Sequence, residues 1–220
     1  DYGDPAGYIA EKIGCDNAET IGTLFGGNQV QAVLNRSCLE ILEGKQDLVV
    51  LTGAENGSSS ARARKQGVQL ASTVIEGTSD EIVGSQKPEH HAYEIARGIK
   101  QAIQVYPMYE NAIRYARGES IDAHLARVSE LWARFNKEGL SNPNAWIQTR
   151  HDAEEIRTPS PSNRAVSFPY TKMMNANMVV DMGAALILCS IGRAKDLGIP
   201  EEKWVYPYAG VQGYDHFSAS

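Results

Sequence analysis

A glycine tip, Gly26-Gly27, leads directly into Asn28 and a helical run to Glu43. An apolar strand, Thr20 to Leu24, precedes the tip; a second, Asp47 to Thr52, follows the helix and ends in Gly53-Ala54-Glu55. A helix N-terminus reached through such a turn aims open N–H groups at whatever lies over the glycines. That suits an acyl carbonyl, a phosphate or a nucleophile. The tip carries neither Cys nor Ser, so Asn28 reads as an N-cap or as a substrate contact. Cys38 lies in the later helical turns, on the stripe of Val30, Val33, Leu34, Ser37, Cys38, Ile41 and Leu42. It reads as a small core hydrophobe.

Other residues with reactive side chains fit less well. Glu89-His90-His91, with His124 and His151, has no zinc-like spacing, and adjacent histidines on a helix point about 100° apart. No metal is expected, and these histidines read as solvated or capping. Arg62, Arg64 and Lys65 form a basic cluster: a solvated face, or a phosphate contact. Lys172, Asn175 and Asn177 precede the last apolar strand and divide between pocket lining and loop hydrogen bonding. Asp215 and His216 read as an inert pair in the terminal tail.

The elements that must position these groups form a β–turn–α–β unit. Leu48-Val49-Val50-Leu51 lacks polar alternation, which predicts a central parallel strand covered on both faces. A right-handed crossover in an α/β sheet is then expected. Asp4-Pro5 starts a short helix that Gly14 stops. Glu89 to Arg117 predicts helix with a break near Pro107. Ser120 to Gly139 predicts the clearest helix, its core stripe being Ile121, Leu125, Val128, Leu131, Trp132 and Phe135. Pro143, Pro159 and Pro161 break the stretch after it. Sheet returns at Gly183 to Ser190, a capped helix follows to Gly198, and Lys203 to Tyr208 suggests a further strand.

At 220 residues the chain has room for one large or two small domains. A net charge of −6 argues against nucleic-acid binding. The longest apolar run, Met182 to Ile191, falls well short of the roughly 20 residues of a membrane span. Three scattered cysteines without CxxC spacing suggest a reducing cytoplasm.

Taken in order, these segments resemble the N-terminal half of thiolases. The resemblance rests on Leu34-Asn35-Arg36, Gly44, Asp47 to Leu51, Gly53-Ala54-Glu55, Asp181 to Leu188 and Ala194 to Gly198. Ser162-Asn163-Arg164 and Phe168 to Asn177 are similar to a divergent bacterial group of the sterol-carrier-protein type, often labelled acetyl-CoA acetyltransferases. The resemblance implies an α/β fold: an incomplete thiolase-like core, 1–55 and 164–220, with a helical loop domain, 56–163, inserted. It implies CoA or an acyl-CoA as ligand and no separate cofactor, with contacts from Gly27, Asn28, Lys172, Asn175 and Asn177. A thiolase nucleophile would stand at or next to Asn28, so no catalytic residue is assigned and cysteine-dependent thiolysis is expected to be lost. The family's acid–base residues belong to a C-terminal half, and the first βαβ turn would precede Asp1. A C-terminal half or partner chain is therefore expected to complete the fold, and homo-oligomers are possible. Two alternatives stand beside this. One is a cysteine-independent retro-aldol lyase on acyl-CoA thioesters with a small OB-fold partner; the other is a non-catalytic structural subunit.

Overall fold

The computed structural model describes residues 3–24, 26–71, 75–84 and 90–213. They fall into two compact units, one within 1–88 and 181–216, the other within 89–180. The sequence division at 55/56 and 163/164 cuts the chain at different points.

The first unit opens with helix α1 (Pro5–Lys12), whose Asp4 side chain accepts from Gly7 N–H. Strand β1 (Ile21–Thr23) leads through the glycine turn to α2 (Gln29–Leu42). Strand β2 (Leu48–Asn56) runs directly into α3 (Gly57–Gln66), and β3 (Glu81–Val83) pairs parallel with β1.

In the second unit, α4 (Ala92–Ala96) ends at Gly98, which takes a φ of +81° that glycine adopts without strain. Helix α5 (Ala102–Ala116) runs straight through Pro107, so the break lies at 97–101 and not at Pro107. Pro107 is buried, and its carbonyl accepts from Asn111 Nδ2 at 2.8 Å. Helix α6 (Ile121–Gly139) starts at Ser120, whose hydroxyl accepts from Ala123 N–H. Then come α7 (Ala153–Arg157) and the short antiparallel pair β4 (Ala165–Ser167) and β5 (Tyr170–Thr171).

The chain returns to the first unit as β6 (Asp181–Cys189), then α8 (Ile191–Asp196), capped by the Ser190 hydroxyl. Residues 203–208 form no strand; a single 3-10 turn, Glu201–Lys203, precedes extended chain.

The mixed α/β fold is as expected, but two packing expectations are corrected. Strand β2 is not a central parallel strand. It pairs antiparallel with β6, from Leu48 opposite Cys189 to Asn56 opposite Asp181, and β1 pairs elsewhere. Leu48 and Val50 are exposed. An unalternating apolar run signals a strand, but it does not say which neighbours cover it.

The second correction concerns α6. Trp132 and Phe135 are not core: they are 39% and 58% exposed, and they pack edge to face on each other. Ile121 and Leu131 are exposed as well. The buried face carries His124, Val128 and Ser129 and packs on α7. His124 is thus neither solvated nor a cap. Glu119 lies 2.9 Å from His124 Nδ1 and the Ser129 hydroxyl donates to Ala126 O, so polarity did not keep this face in water.

Candidate functional site

The glycine turn lies in the first unit, framed by β1, β3 and α2. The β1–β3 ladder continues past β1, with Leu24 N–H donating to Val83 O at 2.9 Å. Thr20 N–H and Oγ1 both donate to Asp80 Oδ2, at 2.8 and 2.9 Å, and Asp80 N–H returns a bond to Thr20 Oγ1. These bonds hold the Asp80 carboxyl below its ordinary range. Helix α2 is tied to the same ladder. Arg36 donates through both terminal nitrogens to Glu81, each at 2.7 Å, and through Nε to Glu40 at 2.7 Å. The Asn-Arg pair of the sequence pattern therefore contributes an anchor here.

At the tip, Gln29 N–H donates to Gly26 O at 3.0 Å, and α2 follows. Asn28 occupies the N-cap position in helical geometry, but its side chain makes no capping bond. Its Oδ1 turns back over Gly26, 2.8 Å from where a Cβ there would stand. A Cβ on Gly27 would meet nothing within 4 Å. Gly84, with a φ of +130°, brings the end of β3 close: a Cβ there would stand 2.9 Å from Gln29 Nε2. The other long helix starts in this unit are filled. Asp4 caps α1, and Asp181 accepts from Ser59 N–H and Oγ at the start of α3. Among the described residues, no side chain caps the first turn of α2.

Cys38 is ten residues past Asn28, about 15 Å along the helix axis. It is half-buried rather than fully buried. It does not reach the tip. A groove of ≈ 340 Å³ along α2, lined by Ala32, Asn35, Arg36, Leu39 and Gly210 among others, includes neither Gly27 nor Asn28. The chemistry of the turn, not the volume of that groove, marks the candidate site.

Lys172, Asn175 and Asn177 lie in the other unit. Asn175 Nδ2 donates to Thr171 O at 2.8 Å, and Asn177 Oδ1 accepts from Val179 N–H at 3.0 Å. Both amides serve their own loop. The Lys172 side chain is exposed. Arg62, Arg64 and Lys65 are exposed on α3. No cluster of three or more metal-ligating side chains occurs among the described residues. Glu89, Asp215 and His216 lie outside the described residues.

Two polar centres in the second unit were not anticipated. Asn163 is buried and holds three carbonyls and an N–H of its surroundings. His124 is 1% exposed, between Glu119 and Glu110. The spacing of Glu119, His124 and Arg127 around one helix start was the available signal.

The fold is thiolase-like, as the sequence resemblance implied and a solved structure supports. The chain is similar to the crystal structure of a monomeric SCP2-thiolase-like protein type 1 from Mycobacterium smegmatis, at 31% identity and a TM-score of 0.63. The match covers 83% of this chain and 33% of that one, so this chain spans about a third of that protein's length. No family model and no curated protein matches the chain. No helix among the described residues is long and apolar enough to cross a membrane.

Proposed function

We propose that this chain belongs to a CoA- or acyl-CoA-binding protein of thiolase type in which cysteine-dependent acyl transfer is lost. The first turn of α2, uncapped by Asn28 and next to Gly27, carries the proposal. Its N–H groups and helix dipole suit a thioester carbonyl or a phosphate oxygen. Gly27 lets the ligand approach, and Asn28 contributes its amide. Lys172 is the loop residue left with an exposed charged side chain; Asn175 and Asn177 shape the loop around it. Exposed Leu48, Val50, Leu186 and Ile187 on the β2–β6 pair support completion of the fold by a C-terminal half or a partner chain.

CoA should raise the melting temperature of the intact protein. A ligand at 100 times its Kd stabilises by about 2.7 kcal/mol, an effect of several degrees for a domain of moderate size. Acetoacetyl-CoA thiolysis should stay at background, in the parent and in Cys38→Ala alike. No thermal protection at any CoA concentration would refute the binding site. Turnover that disappears in Cys38→Ala would restore a cysteine mechanism.

One observation favours a second activity. Free donors without a nucleophile can polarise a thioester carbonyl, which is what a retro-aldol cleavage needs from such a turn. Aldehyde release from a β-hydroxyacyl-CoA, in the presence of a small OB-fold partner, would establish it.

A further inference from the structure

Asn56-Gly57 is the one Asn-Gly pair in the sequence. It stands at the joint where β2 ends and α3 begins. Gly57 is the first residue of α3, so its N–H is among those that intrahelical bonding leaves open. Glycine also adds no side chain to hinder approach and lets the backbone turn. The neighbouring amide is exposed and makes no capping bond that would hold it away from that nitrogen. It is polarised from another side: Ser60 Oγ donates to Asn56 Oδ1 at 3.2 Å.

We propose that Asn56 is a spontaneous deamidation site of the folded protein. The Gly57 nitrogen bonds to Asn56 Cγ. The Cγ–Nδ2 bond breaks, and the amide nitrogen leaves as ammonia, carrying the proton that Gly57 gives up. Water then opens the five-membered imide at either carbonyl, leaving aspartate or isoaspartate at position 56. Ring closure turns ψ of Asn56 away from its 30°, so the first turn of α3 opens briefly before reaction.

The product is not silent. Asn56 stands opposite Asp181 in the β2–β6 register. A carboxylate at position 56 places like charges across one strand pair, which is destabilising. Isoaspartate also inserts a methylene into the backbone at the last residue of β2. Deamidation therefore loosens the joint that carries the chain from sheet into α3.

The test holds the intact protein at mildly alkaline pH and follows all asparagines by peptide mass mapping. Position 56 should deamidate ahead of the ten others. Gly57→Ala should bring it down to their level, and Ser60→Ala should slow it several-fold. The same chain in denaturant supplies the reference, because Ser60→Ala should have no effect there. The proposal is overturned if Asn56 stays intact in the folded protein, or if either variant reacts as fast as its parent in the folded state.

Discussion

His124→Leu is expected to cost about 3 kcal/mol of folding stability, read as a lower denaturation midpoint with an unchanged slope. The imidazole is 1% exposed. Its Nδ1 lies 2.9 Å from Glu119 Oε2, and its Nε2 lies 3.0 Å from Glu110 Oε1. The second contact has ion-pair distance but lies off the line of a hydrogen bond. Leucine fills similar space and pairs with neither carboxylate. Glu119 loses little, because Arg127 and Arg117 each hold it at 2.7 Å. Glu110 keeps the hydroxyl of Tyr170, which donates at 2.7 Å. The cost thus arises mainly from one partly buried carboxylate stripped of its nearest nitrogen. Glu110→Gln in the leucine background should recover part of the loss. A change below about 0.5 kcal/mol in His124→Leu would show that water already screens the pair.

The same cluster sets a direction with pH. Arg127, then Arg117 and His124, hold the Glu119 carboxyl well below the ordinary carboxylate range. A carboxyl with a depressed folded pKa stabilises fully above the unfolded value. That contribution declines as pH falls through the carboxylate range toward the folded value. Acid should therefore weaken the second unit, and Glu119→Gln should flatten that part of the profile.

Asn163→Ala should cost about 3 kcal/mol, and Asn163→Asp at least as much. The Asn163 Nδ2 group donates to the carbonyls of Glu155, Ile156 and Thr158 at 2.9, 3.0 and 3.2 Å. Oδ1 accepts from Met173 N–H at 2.9 Å. One buried amide thus ties the end of α7 to the turn that carries Lys172. Alanine leaves these backbone groups without partners. Aspartate keeps the bond from Met173 but turns carboxylate oxygen toward carbonyl oxygen. Chemical denaturation measures the cost, and limited proteolysis between residues 158 and 177 shows where the chain opens. Aspartate as stable as the parent at neutral pH would contradict this account.

What was legible in the sequence was local or serial. Asp4 and Ser190 cap helices as expected, because a cap depends on the next three residues. The order of strand, glycine turn, helix and apolar strand was enough to indicate a thiolase-like fold. Burial was not legible in the same way. Trp132 and His124 share a helix, and helical spacing allows either face to be covered; Glu110 and Tyr170 come from other elements and decide it. The roles of Asn175 and Asn177 depend on carbonyls and N–H groups that appear only once the loop has closed. Pro107 shows the limit of a strong local rule: a buried position within α5 holds the helix across it.

The β2–β6 pair has a consequence for handling the protein. Among the described residues it is a two-stranded ribbon whose outer edges pair with no further strand, and it exposes Val50, Leu186 and Ile187. Exposed apolar strand edges recruit further strands from other molecules. The chain alone should therefore self-associate as its concentration rises, visible as increasing light scattering, and Ile187→Lys on the exposed ribbon should suppress it. Colloidal behaviour then becomes a practical assay for the proposed completion of that sheet: a chain that completes it should keep the solution clear.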